Sequence, residues 1–100
     1  MSKQLPQVTY DLMRAKAFID SPEKWCQGAY FSPNGAAACS LGALTTLDDA
    51  NPAYFYLQRT MDGFIGSFND CHTHAEVMAA WDKAIELSIK EPNLEEGWHK

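Results

Sequence analysis

Asp70, Cys71, His72, His74 and Glu76 fall within seven positions of one another, in the stretch FNDCHTHAEV at 68–77. These are the side chains that bind metals and move protons, so the first question is whether they form a site. A closed zinc site uses four ligands, commonly as two spaced pairs. Cys71 and His72 are adjacent and tend to point apart, and a second pair would have to come from Cys26 and Cys39. No metal is assigned on this pattern. The same stretch carries a simpler signal. Thr73 followed three residues later by Glu76 fits a capping box, in which each side chain accepts from the other residue's backbone N–H at a helix start. The segment therefore reads chiefly as a polar loop leading into a capped helix.

A second chemistry is open to the same residues. Cys39 is expected near the start of a helix, where the dipole favours a thiolate. His74 or His72 would act as its base, with Asn69 or Asp70 as orienter, as in other Cys-His-Asn/Asp sets. Against this, a cysteine among alanines and leucines is more often a small core residue. Phosphate binding has less support. NGAAACSLGAL (34–44) has two glycines but neither P-loop nor dinucleotide spacing, and no lysine follows. No cofactor is expected.

The elements that must position these residues are helical. Thr9 is placed to cap a first helix, and Val8, Leu12, Ala15 and Ile19 give it one apolar face to about Asp20. Ser21-Pro22 starts a short turn ending near Trp25. Gly28 breaks it, and SPNG at 32–35 signals a turn, so a short hairpin or an irregular insertion is expected near residues 28–38. ACSLGALTTL predicts a buried helix over about 37–47, in which Gly42, costing about 1 kcal/mol relative to Ala, is explained by close packing. Asn51-Pro52 opens the next helix, carrying Tyr54, Phe55, Leu57 and Met61 and stopping at Gly63. The clearest helix runs over 74–90, with Val77, Trp81, Ala84, Ile85 and Ser88 on one stripe. The fold class is thus mainly α, with α+β as the alternative: a small single-domain bundle of about four helices. Residues 1–8 read as a leader, 9–91 as the globular domain and 92–100 as a tail in which Trp98 can pack back.

Composition narrows the function classes. Eight Lys plus Arg against 13 Asp plus Glu give a formal charge of −5, and no basic run occurs. Duplex nucleic-acid binding rests on clustered cations and is disfavoured. No apolar run approaches the length of about 18 residues that spans a bilayer. Three cysteines, no CxxC pair and no signal-peptide core at the N-terminus lead to the expectation of free thiols in a soluble, cytoplasmic protein. Trp25, Tyr30, Phe31, Tyr54 and Tyr56 exceed what one face per element needs to bury, and grouped exposed aromatics mark interfaces.

WCQGAYF (25–31), ACSLGAL (38–44) and FNDCHTHAEVMAAWDKAIEL (68–87), in that order, resemble domain-of-unknown-function family 6197, small bacterial and phage proteins without an assigned activity. The resemblance covers roughly residues 10–90. It touches Trp25, Gln27, Gly28, Cys39, Gly42, Ala43, Leu44, Asn69, Asp70, Thr73, Val77 and Asp82. Cys71 and His72 lie outside its pattern, as does the segment from Asp48 to Gly66. What it implies is a grouping of Trp25, Gln27, Cys39, Asn69 and Asp70 from three separate stretches, as a network fixing loops to helices or as a polar pocket. The expected function is a binding or regulatory module with a larger protein partner, its candidate binding residues Trp25, Gln27, Tyr30, Asn69, Asp70 and Tyr54. Small size, acidity, surplus aromatics and the phage-associated resemblance suggest a specific form: a phage or mobile-element inhibitor of a host defence nuclease complex. The rival is the thiol enzyme built on Cys39.

Overall fold

A computed structural model describes residues 4–48, 51–61 and 63–92. Among them are five α-helices: α1 (Gln7–Lys16), α2 (Ser40–Leu44), α3 (Ala53–Thr60), α4 (Ile65–Cys71) and α5 (His74–Lys90), with a 3₁₀ turn at Pro22–Lys24. The fold is mainly helical, and the described residues include no strand. Over 28–38 the expected hairpin is replaced by the irregular alternative. Two isolated bridges, Trp25 with Ala38 and Phe31 with Ala38, hold the segment together. Cys26 and Ser32 donate their N–H groups to Ala38 and Ala37 carbonyls at 3.0 and 2.9 Å.

Helix α5 spans 74–90 as its periodicity requires, and α1, α3 and α4 lie against it. Its stripe buries Val77, Ala80, Trp81, Ala84 and Ser88 against Leu12, Ile19, Leu44, Tyr56 and Leu57. Both halves of the capping box form: Glu76 N–H donates to Thr73 Oγ1 at 3.2 Å, and Thr73 N–H donates to Glu76 Oε1 at 2.9 Å. The Glu76 carboxyl is held below its usual range, first by that Thr73 backbone hydrogen bond. Thr73→Ala removes the cap and is expected to lower stability by about 1 kcal/mol, read as a shift in the urea midpoint with an unchanged m-value.

Three expected boundaries move, each for a physical reason. Thr9 is not a cap. It lies inside α1, which starts after Pro6, and its buried hydroxyl meets Ser88 Oγ at 2.7 Å, joining α1 to α5. Helix α2 is only five residues long, because Thr45 and Thr46 turn their hydroxyls back onto Gly42 and Ala43 carbonyls. Helix α4 covers Phe68 to Cys71, which the sequence reads as polar loop. It has no side-chain cap, and it places Asn69 and Asp70 inside a last helical turn rather than ahead of a helix. Asn51 does cap α3, its Oδ1 accepting from Ala53 N–H at 2.8 Å. Gln7, read as leader, belongs to α1, and Val8 takes its place on the buried face of that helix. The first three residues and the segment holding Trp98 lie outside the described residues.

Candidate functional site

Three of the stretches singled out in the sequence meet at Asn69, which is fully buried at the C-terminal end of α4. Its Oδ1 accepts from Trp25 Nε1 at 2.7 Å and from the backbone N–H and hydroxyl of Ser40, both at 2.9 Å. Its Nδ2 donates to the Cys26 carbonyl at 3.0 Å and to Asp70 Oδ1 at 3.3 Å. Three donors face one end of the amide and two acceptors the other, so the network dictates which end is oxygen. Ser40 extends the chain inward, its Oγ accepting from Trp81 Nε1 at 3.0 Å. An N–H from a core tryptophan and one from a surface-loop tryptophan are thus joined through two small polar side chains.

The loop carrying Trp25 is fastened at two further points. Gln27 Nε2 donates to the carbonyls of Asn69, Asp70 and His72 at 3.0–3.2 Å. These are orphan carbonyls of the last turn of α4, so Gln27 acts as its C-terminal cap from another segment. Asp70 Oδ1 accepts from Gly28 N–H at 2.9 Å. Gly28 has φ of +81°, the left-handed region that glycine enters without strain.

The expected grouping of Trp25, Gln27, Asn69 and Asp70 is therefore present, and Cys39 stands next to it. Cys39 is 4% exposed, and its sulfur accepts from Gly42 N–H at 3.4 Å at the N-cap of α2. The two histidines are engaged elsewhere. His74 Nε2 meets the Ile19 carbonyl at 2.8 Å, and His72 Nδ1 meets the Phe68 carbonyl at 2.9 Å. A carbonyl only accepts, so each of these nitrogens carries the proton. His74 also packs its ring on Trp25, centroids 5.4 Å apart, and His72 stacks on Phe68 at 3.8 Å. Burial pushes the Cys26 thiol up, with Cys39 and Asp70 adding to the effect, the opposite of what an activated thiol needs. Among the described residues, no three of His, Cys, Asp and Glu gather as a metal site.

Two binding candidates lie apart from this network. Tyr30 takes part through its backbone, accepting from Cys39 N–H at 3.0 Å, while its side chain is 53% exposed. Tyr54 is half-buried against the core. Ser40, the second centre of the network, was missed in the sequence; a serine beside a cysteine at a helix start carries no signal of its own. Phe18, not among the sequence candidates, is half-exposed and shares a cleft with Phe31.

Every polar group of the Asn69 amide is used within the protein. The arrangement holds the loop of residues 25–28 against α4 and the start of α2. The fold and site together define a small helical domain with a buried polar clamp. The chain belongs to a family of unknown function, DUF6197, whose model matches residues 4–87. Comparison with curated proteins and with solved structures gave no match.

Proposed function

We propose that the protein is a binding module that docks on a larger protein through the aromatic loop its clamp holds. The observation that carries this reading is the pairing of rigidity and exposure. Residues 25–28 are fixed to α4 by the hydrogen bonds of Trp25, Gln27 and Gly28, while Tyr30 and Phe31, immediately after, leave 53% and 47% of their surface open. Phe18, 50% exposed, joins Phe31 along a cleft of about 170 Å³ floored by Ala37, Ala38 and Ala43. Aromatic side chains with little entropy left to lose are the anchors from which binding hot spots are made. A charge of −5 favours a partner whose contact rim is cationic. The specific form of the proposal is an inhibitor, encoded by a phage or mobile element, of a host defence nuclease complex. It draws on small size, acidity and these aromatics.

The test compares the tagged wild-type protein with Tyr30→Ala/Phe31→Ala, each expressed in the host, purified gently and weighed by native mass spectrometry. Because both side chains are about half exposed and lie outside the buried core, the double variant should keep its thermal midpoint. A stoichiometric partner recovered with the wild type and lost with the variant is the expected result; a nuclease subunit as that partner supports the specific form. A partner retained by the variant, or absent from both, overturns the docking surface. Thiol labelling at neutral pH then addresses the rival. An enzyme built on Cys39 requires that thiol to react in the folded state, and a packed Cys39 does not.

A further inference from the structure

A second cleft, of about 390 Å³, opens between the end of α3, α4 and the first turns of α5. Its lining includes Arg59, Met61, Phe68, His72, Glu76 and Lys83, with small residues of α5 between them. The charges are not distributed as on the rest of the surface. Of the six lysines and arginines among the described residues, Arg14, Lys16, Lys24 and Lys90 each sit in an ion pair with an aspartate or glutamate. Arg59 and Lys83 are in no ion pair within the described residues, and both line this cleft. In a chain with a net charge of −5, two such cations on one concavity mark an anion site.

The other lining residues narrow the ligand. The Phe68 ring lies under the His72 ring, 3.8 Å apart and 12° from parallel, and with Met61 gives the cleft a flat, apolar portion. Arg59 is steadied by the Phe55 ring, its guanidinium carbon 5.7 Å from the ring centroid. A planar guanidinium suits a carboxylate, which it can grip through two parallel N–H bonds. Glu76 is the one carboxylate on the lining among the described residues. It is committed to Thr73 N–H, and its charge offsets one of the two cations. That balance favours a singly charged ligand over a polyphosphate. The cleft volume falls within the usual range of small-molecule sites, from about 300 Å³ upward.

The geometry points to this cleft as a binding site for a small organic monoanion, an aromatic carboxylate whose charged group lies between Arg59 and Lys83 and whose ring lies along Phe68 and Met61. The site is separate from the aromatic loop and stands whether or not that loop docks a protein.

The experiment uses the full chain, ¹⁵N-labelled, titrated with 2-naphthoate and, in parallel, with 2-naphthalenemethanol and inorganic phosphate. The expected result is saturable movement of the amide resonances of Thr60, His72, Ala79 and Lys83 with naphthoate, and much weaker responses to the alcohol and to phosphate. Arg59→Gln and Lys83→Gln should each weaken naphthoate by about tenfold, the loss of one charge-assisted hydrogen bond. Both residues are exposed, so both variants should keep the wild-type thermal midpoint. Ala79→Leu, which narrows the cleft and leaves its charges alone, should weaken naphthoate as well. The proposal is overturned if naphthoate shifts are scattered or do not saturate. It is equally overturned if the glutamine variants bind as the wild type does, or if phosphate or the neutral alcohol binds as tightly as naphthoate.

Discussion

Asn69→Leu, which keeps the branching and heavy-atom count of the side chain but removes its polar atoms, is expected to destabilise the protein by about 4 kcal/mol. Most of the loss is of hydrogen bonds, and the extra bulk of leucine at a fully buried position adds to it. Trp25 Nε1, the Ser40 N–H and the Ser40 hydroxyl lose their common acceptor, and the Cys26 carbonyl loses its donor. Ser40 is fully buried and Trp25 half-buried, so water does not simply replace what was removed. Each group left unsatisfied costs about 1–3 kcal/mol, and local relaxation recovers part of the sum. Small domains hold only about 5–15 kcal/mol in total, so the variant should unfold at a much lower urea concentration. Trp25→Phe removes one donor and keeps an aromatic ring, although a smaller one, and should cost less. In the double variant the two costs should sum to less than their separate values, because the indole N–H is no longer there to be orphaned. Equal additivity, or an Asn69→Leu protein as stable as the wild type, would show that the amide is not the centre of the clamp. The same variants bear on the docking reading: loosening the clamp should weaken partner capture in proportion to the loss of order at residues 25–31, with Tyr30 and Phe31 themselves unchanged.

How far these features could be read in advance depended on whether local or distant contacts made them. Helix α5 was legible to its ends because the Thr73–Glu76 box and a regular apolar stripe are both written in consecutive residues. The Asn51 cap was legible for the same reason. Helix α4 was not. It starts at Ile65, after Phe64, with no capping side chain, and carries Gly66 within its first turn. Its end is finished by Gln27, 42 residues or more away along the chain. Its polar residues, Asn69 and Asp70, look like loop residues because their partners lie in other segments. Thr9 shows the converse error: a good capping type whose hydroxyl is instead claimed by Ser88 on the far helix. The cluster at 70–76 attracted attention as possible chemistry, yet the structure assigns Thr73 and Glu76 to a cap and puts a nitrogen of His72 and of His74 on a backbone carbonyl. The grouping of Trp25, Gln27, Asn69 and Asp70 came from the family resemblance, and periodicity alone had no means of finding it. Of the surplus aromatics, Tyr56 proved wholly buried, while Tyr30 and Phe31 are open. Alternation and spacing say which face a residue occupies, and cannot say which irregular loop is covered.

Gly42→Ala should be about as damaging as the loss of the clamp, at about 3 kcal/mol net, although alanine is the better helix former by about 1 kcal/mol. The reason is where its Cβ would fall. It would stand 2.1 Å from the Tyr30 carbonyl oxygen, 3.0 Å from the carbonyl carbon and 3.2 Å from Ala38 Cβ. The first two are backbone atoms, so no side-chain rotation relieves the contact. The carbonyl is also held, since it accepts from Cys39 N–H at 3.0 Å. Moving it away breaks that bond, and moving α2 away disturbs Ser40, the first residue of α2, whose N–H donates to Asn69 of α4. Either way the strain falls on residues 28–31, the loop that presents Tyr30 and Phe31, and its outward displacement gives up the Cys39 N–H bond. The variant should therefore show two linked effects: a lower thermal midpoint and, at temperatures where it is still folded, altered amide shifts running from Gly28 to Phe31 and across α2. Gly35→Ala is the control, because at φ +73° it meets nothing within 4 Å and incurs only the cost of its own backbone. If Gly42→Ala were no worse than Gly35→Ala, the close approach of the loop to α2 would not hold in solution. The support for a rigid aromatic docking loop would then be gone.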